Sequence, residues 1–312
     1  MNPLPFVVGC ERSGTTLLRA MLDSHPEMAV PPESYFVAAM ARRQRRYQTR
    51  TGFDCDLFMG ELFDHRWFRA WGLPERDVRA AMGSAPPANL ADAVRGVYEL
   101  YAERETKRRY GDKTPGYVFN LPLLAGAFPE ARFVHVIRDG RNVALSLQAA
   151  RFGPERIDRA ATAWKRAVSR GQIAGRKLGA TRYMEVRYED LVEEPESSLR
   201  RICTFIKLPF DAAMLRYFDR ADELTASFKH PEQHRHLSLP PVVGLRDWRT
   251  EMSQQDVLTF EVIAGDLRSR LGYAPAPVRV TPRSAIRVRA LELAAEGASL
   301  SKRIHKRVWA ER

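Results

Sequence analysis

Cysteine is scarce. Cys10, Cys55 and Cys203 are three residues in 312, an odd number at wide spacing. That pattern excludes a disulfide framework and matches no zinc motif, so reduced thiols are expected. Long apolar runs are also missing. The longest near the N-terminus spans only a few residues, too short for a signal peptide's apolar core or a membrane span. A soluble, cytoplasmic protein is therefore expected. No internal repeat or low-complexity linker is visible. Acidic residues are outnumbered: 50 Lys and Arg face 38 Asp and Glu, a net charge of +12. Such an excess favours polyanions, anionic membrane surfaces or anionic small ligands, without choosing among them.

One absence is more specific. Residues 9–16 read Gly9-Cys10-Glu11-Arg12-Ser13-Gly14-Thr15-Thr16, with the Gly-x4-Gly spacing of a phosphate-binding loop. The lysine that should come next in a nucleoside-triphosphate loop is replaced by Thr15. The flanks fit such a loop. Pro5-Phe6-Val7-Val8-Gly9 reads as a buried parallel strand. Leu17, Leu18, Met21 and Leu22 then recur at helical spacing, so free N–H groups and a positive dipole end face the loop. The cation stands earlier, at Arg12, and hydroxyls occupy Ser13, Thr15 and Thr16. Backbone donors, one guanidinium and hydroxyls suit a smaller anion that travels without a metal. The alternative is a plain glycine turn before a packed helix.

A second strand is predicted at 132–137, running into Arg138, and a third at 182–186. The aspartate expected of a magnesium site is not at the second strand's end. Asp139 follows Arg138 and is expected to pair locally. Helices are predicted at 33–50, 89–108, 141–150, 155–178, 196–206, 211–218 and 253–271. Residues 51–87 read as irregular and aromatic. Strand–helix alternation predicts an α/β fold, a P-loop-like parallel sheet with helices on both faces and ligands at the strands' carboxyl ends. A boundary near Pro275-Ala276-Pro277 separates a domain over 1–275 from a basic amphipathic helical tail over 276–312. Arg138 and Ser146 could clamp a second phosphate; an Arg after a strand also serves as a salt-bridge partner.

These motifs together resemble a known family. Arg12-Ser13-Gly14-Thr15-Thr16, then Arg138-Asp139-Gly140-Arg141 with Ser146, then Tyr188-Glu189-Asp190-Leu191, resemble the sulfotransferases that use 3′-phosphoadenosine 5′-phosphosulfate (PAPS). The segment from Arg12 to Pro26, with Glu33 beyond, is similar to the tyrosylprotein sulfotransferases and their bacterial relatives. Gly111-Asp112-Lys113-Thr114-Pro115 and Trp248-Arg249 fit the bacterial branch. The resemblance runs from residue 6 to about residue 273. It implies sulfation of a hydroxyl acceptor by in-line transfer from PAPS, with no metal. Arg12, Ser13, Gly14, Thr15 and Thr16 would cradle the 5′-phosphosulfate. Arg138 and Ser146 would bind the 3′-phosphate, Tyr188 would lie near the adenosine, and Arg249 would help cover the 3′-phosphate, with Arg235 a weaker candidate.

Three residues would carry the chemistry. Glu33 would be the general base, Lys113 would stabilise the sulfuryl group and bridging oxygen, and Arg12 the leaving phosphate. This chain has Pro31-Pro32-Glu33 where the family has Gly-Glu-Glu, so only the second carboxylate is kept. Alternatives remain open at this point. Glu33 could simply favour a helix dipole, Lys113 could be a solvated lysine in a tight loop, and a histidine could be the base. His230, His234 and His236 match no common zinc spacing.

The acceptor is expected to be a small molecule, glycan or lipid-linked hydroxyl. Aromatics between residues 36 and 71 are candidate lining, though most are expected in the core. Arg42, Arg43, Arg45 and Arg46 form either an acceptor-facing patch or a solvated face. The tail would pack on its own domain or a partner, with peripheral membrane docking the sharper alternative. A metal-dependent P-loop kinase and a nucleic-acid-binding protein are the rivals. The first lacks its lysine, and the second lacks any recognisable module, so no nucleic-acid partner is expected.

Overall fold

The computed structural model describes residues 2–50, 52–150, 153–154, 156–221, 237–241, 246–284, 286, 288 and 290. They divide between two compact units. One takes Met1–Ile137 and Arg170–Val243, the other Arg138–Ser169 and Gly244–Arg312.

The first unit is built on a parallel sheet. The strands in chain order are β1 (Pro5–Gly9), β2 (Met28–Ala29), β3 (Arg109–Tyr110), β4 (Asp112–Lys113), β5 (Arg132–Ile137) and β6 (Tyr183–Arg187). The main sheet has the order β4-β1-β5-β6, and β2 pairs with β3 in a separate parallel ribbon. All pairs of the main sheet are parallel: Val7 lies opposite Lys113 on one side and Val134 on the other, and Val134 lies opposite Met184.

Side-chain alternation splits this sheet into two apolar faces. Val7, Val134, Val136 and Val186 join a core with Leu17, Leu18 and Met21 of helix α1 (Thr15–Asp23) and with Leu199 and Ile202 of the helix Pro195–Ile206. On the other face Phe6 stacks on Phe133, ring centroids 5.6 Å apart, and meets Tyr117 and Phe128. The expected α/β architecture, a parallel sheet flanked by helices on both faces, is what the chain adopts.

Three local expectations are corrected. Residues 51–87 are not irregular: they hold helices at Cys55–Asp64, Arg66–Arg69 and Glu75–Ser84. Their aromatics pack all round, as in the edge contacts of Phe36 with Phe68 and Trp71, and this blurs one-faced periodicity. The segment around Lys113 is not a free loop either. Asp112 and Lys113 form the short edge strand β4, because their backbone finds β1 as a partner. The helix expected over 33–50 is shorter, an α-helix at Phe36–Ala41 and a 3-10 turn at Gln44–Tyr47.

The second unit packs the helix Gly140–Gln148 against the helices Trp248–Glu251 and Gln254–Arg270. Arg141 lies at its centre. It has no exposed surface, pairs with Asp139 at 2.6 Å and with Glu261 at 3.5 Å, and stacks 3.7 Å over the Trp248 ring. Of the tail predicted over 276–312, residues 291–312 lie outside the described residues, as do His230, His234, Arg235 and His236.

Candidate active site

Parallel strands bring their carboxyl ends to one edge, and the first unit gathers its polar residues there. The turn after β1 closes with Ser13 N–H donating to the Cys10 carbonyl at 3.2 Å. Arg12 and Gly14 both take left-handed backbone angles, with φ 68° and 95°. Successive N–H groups in such a turn form a concavity suited to an anion. Helix α1 starts directly behind it, with no capping side chain and no acidic residue in its first turn. Its leading N–H groups are therefore open to a ligand.

The hydroxyls differ in setting. Ser13 is fully buried, and its Oγ has no hydrogen-bond partner. A buried hydroxyl left in this state costs free energy unless something binds it, so the loop has the donor chemistry of an anion cradle. Thr15 is buried and Thr16 half-buried. The ring of Tyr188, which opens the helix Tyr188–Glu193 after β6, packs directly on Gly14 and belongs to the apolar core. The structure thus gives Tyr188 a part in holding the loop. Cys10 is buried, and desolvation pushes its thiol up to about 12, helped by the Glu11 charge, so it stays protonated.

Glu33 and Lys113, 80 positions apart, meet here. Lys113 Nζ donates to Glu33 Oε1 at 2.6 Å. Lys113 is 3% exposed and the Glu33 side chain 25%. The Lys113 end of the pair is set by β4, whose backbone is held beside Val7. The Glu33 end is clamped one residue on. Ser34 N–H donates to Thr114 Oγ1 at 3.0 Å, and Ser34 Oγ lies 2.7 Å from the Tyr117 hydroxyl. Lys113 is accordingly no solvated loop lysine, and Glu33 precedes the helix Phe36–Ala41 without capping it.

Three residues assigned no role from the sequence also belong to this corner. Glu11 as a residue is exposed, yet its carboxyl is held above its ordinary range, first by desolvation and then by the Glu33 charge, against Arg12 and Lys113. Asp112 is fully buried and accepts from the Tyr98 hydroxyl at 2.6 Å. Burial pushes its carboxyl up to about 6, against that hydrogen bond. Burial first, and the Glu33 charge next, push the Tyr35 phenol up. Glu11 could be seen in the loop motif. Nothing in local pattern marks Asp112 or Tyr35, because their partners come from other elements.

Arg138, Ser146 and Arg249 belong to the second unit. Arg138 follows the last residue of β5, and its carbonyl accepts from Trp164 Nε1 at 3.1 Å. Arg138 and Ser146 are each 7% exposed. Arg249 is exposed, donates to Asp247 Oδ1 at 3.2 Å and lies 5.0 Å from the Trp248 ring centre. Asp139 pairs locally, as expected: its carboxylate takes Arg141, with contacts of 3.0 and 2.6 Å, and it caps the helix Gly140–Gln148. Among the aromatics expected to line an acceptor pocket, Phe36, Tyr47, Phe58, Phe68 and Trp71 are core residues. Residues 222–236 and 242–245 lie outside the described residues.

Known proteins resemble this chain. The sulfotransferase family matches residues 3–212. The protein-tyrosine sulfotransferase A of Caenorhabditis elegans is 25% identical over 281 residues, covering 88% of this chain and 68% of its own. The nodulation protein NoeE of Sinorhizobium fredii is 26% identical over 303 residues, covering 88% and 67%. The solved sulfotransferase domain from the curacin biosynthetic pathway has the same fold, with a TM-score of 0.58 at 20% identity over 88% of this chain and 99% of that one. The match spans the phosphate loop, the Glu33–Lys113 pair and the strand preceding Arg138, so the chain belongs to the sulfotransferase family and is an enzyme that transfers sulfate.

Proposed function

We propose that this enzyme moves the sulfuryl group of PAPS to a hydroxyl acceptor by in-line transfer, with Glu33 as general base. The observation that carries the proposal is the 2.6 Å pair between Glu33 and Lys113 at the strand edge that holds the anion loop. Sulfuryl transfer needs a proton acceptor on one side and cationic stabilisation on the other. The acceptor hydroxyl gives its proton to Glu33. Its oxygen forms a bond to sulfur as the bond from sulfur to the 5′-phosphate oxygen breaks. The electron pair of that bond stays on the phosphate.

The pair couples these events. While Glu33 is charged, Lys113 is held to it. A proton arriving on Glu33 removes that attraction and frees the ammonium for the departing oxygen. Arg12 takes the growing charge on the phosphate. Ser13, Gly14, Thr15 and Thr16 hold the phosphosulfate through hydroxyl and backbone donors, and the partnerless Ser13 Oγ supports that assignment. Arg138 and Ser146 are assigned the 3′-phosphate and Arg249 its cover. Tyr188 is kept near the adenosine. These four rest on the family resemblance. No step requires a metal.

The acceptor is proposed to be a small-molecule, glycan or lipid-linked hydroxyl. The enzyme is proposed to act in the cytoplasm, with the basic tail as a candidate for peripheral membrane contact. Among the described residues no helix is long and apolar enough to cross a membrane. The test is transfer of labelled sulfate from PAPS to an acceptor extract, with the product identified by mass. Glu33→Gln should lower that transfer by about two to four orders of magnitude while adenosine 3′,5′-bisphosphate still binds. Undiminished transfer by this variant would remove Glu33 from the mechanism.

A further inference from the structure

The contact between Glu33 and Lys113 is doubled one residue along the chain. Glu33 meets Lys113 across 80 positions, and Ser34 meets Thr114 across the same 80. Ser34 N–H donates to Thr114 Oγ1 at 3.0 Å, and the two side-chain oxygens lie 3.3 Å apart. A third hydroxyl completes the group. Ser34 Oγ stands 2.7 Å from the Tyr117 oxygen, which also accepts from Ala38 N–H at 3.4 Å. Ser34 and Thr114 are wholly buried and Tyr117 is 1% exposed. These hydroxyls therefore satisfy one another in place of water.

Each arm of the cluster leads to a different part of the active site. Thr114 follows Lys113 directly, at the end of β4. The chain then turns through the 3-10 helix Pro115–Phe119, with Tyr117 N–H donating to the Thr114 carbonyl at 3.0 Å. The Tyr117 ring meets Phe6 edge-on, centroids 6.1 Å apart, and Phe6 lies on β1, the strand that ends in the anion loop. Ala38 belongs to the helix Phe36–Ala41 that follows Glu33. Between Ser34 and that helix the backbone bends hard. Tyr35 has φ 43°, in the left-handed region that glycine usually occupies. Such a conformation persists only where neighbours over-determine it, and the contacts of Ser34 and Ala38 do so from either side.

We infer that Thr114 and Tyr117 are positioning residues of this active site. Through Ser34, their hydroxyls fix the Glu33 carboxylate relative to Lys113 and the anion loop. The inference rests on the reading of Glu33 as base. Neither hydroxyl is assigned a contact with acceptor or phosphosulfate. What they set is the alignment of the base, and a displacement of about 1 Å there costs on the order of a hundredfold in rate. The cradle for PAPS is built by the loop's own backbone, so its affinity should not follow.

The test is transfer of labelled sulfate from PAPS to the acceptor extract by the full chain, with kcat and the KM for PAPS separated. Tyr117→Phe removes one hydroxyl and keeps the ring on Phe6. Its kcat should fall about tenfold, and that of Thr114→Val about ten- to a hundredfold. The KM for PAPS and the calorimetric affinity for adenosine 3′,5′-bisphosphate should stay near the parent's. Thr114→Val strands the buried Ser34 N–H, so its melt should fall as well. Thr114→Ser keeps the accepting oxygen and should return kcat to within about threefold of the parent.

Double variants separate positioning from folding. In the Glu33→Gln background, Tyr117→Phe should lower the residual rate by less than about twofold, because no base is left to align. A purely structural defect would lower both backgrounds alike. A parental kcat in Tyr117→Phe or Thr114→Val, or an equal loss in the two backgrounds, overturns the inference and leaves Glu33 as base. Full-rate transfer by Glu33→Gln overturns the base itself, and the positioning role with it.

Discussion

Gly14 and Tyr188 touch so closely that no side chain could stand between them: a Cβ on Gly14 would lie 2.2 Å from Tyr188 Cδ2. The ring rests on the loop's own backbone and holds open the turn that α1 begins behind. Gly14 also has φ 95°, which an alanine tolerates poorly. Gly14→Ala should cost about 1–3 kcal/mol of stability and abolish binding of adenosine 3′,5′-bisphosphate. A melt and a calorimetric titration check this, and binding at the parent's affinity would separate the loop from the ligand.

Lys113 has a different signature. Lys113→Met keeps much of the side chain's bulk and removes its charge. Transfer should fall by about two to three orders of magnitude, comparable to the loss of an electrostatic stabiliser. Transfer at the parent's rate would show that the pair does not operate in the reacting enzyme.

Arg138 and Arg141 should behave oppositely, although both stand in the same four-residue motif. Arg141 is wholly buried between two carboxylates and a tryptophan face. Arg141→Ala should destabilise the fold by about 3–5 kcal/mol, since it strands buried charges. Arg138→Ala should raise the KM for PAPS about ten- to a hundredfold, the value of one charged hydrogen-bonding partner. An unchanged KM would remove Arg138 from the 3′-phosphate.

Two buried groups set opposing pH slopes on stability. The Asp112 carboxyl is raised from 3.8 to about 6, chiefly by burial. Between those values the folded chain keeps a proton that the unfolded chain has lost, so stability falls as pH rises through this window. Burial lowers His135 from 6.5 to about 3. The unfolded chain then takes up a proton that the folded chain refuses, so stability rises with pH from about 3 to 6.5. Asp112→Asn, which can still accept from Tyr98, removes the first slope alone. Its stability relative to the parent should grow between pH 4 and 6 by on the order of 3 kcal/mol and level off above. A difference independent of pH, followed by melts across that range, would mean Asp112 is ionised in the fold.

Local pattern carried a large part of this protein. A run such as Arg132–Ile137 can be read as a strand because its apolar residues are buried on both faces of a parallel sheet. The helix Ile157–Leu178 keeps a register that its own residues state. The helices between Cys55 and Ser84 were hidden because their aromatics bury in several directions at once. The strand β4 was hidden because two residues hold no periodicity.

The loop chemistry from Gly9 to Thr16 was written in residue types and spacing alone, since a phosphate cradle is made by consecutive backbone groups. Family membership could be read for the same reason. What the chain could not state locally was who meets whom. Glu33 finds Lys113 across 80 positions, and Asp112 finds Tyr98. Such pairs depend on strand register and on helices closing over them, and ion pairing acts only over a few ångströms, so tertiary packing alone decided them.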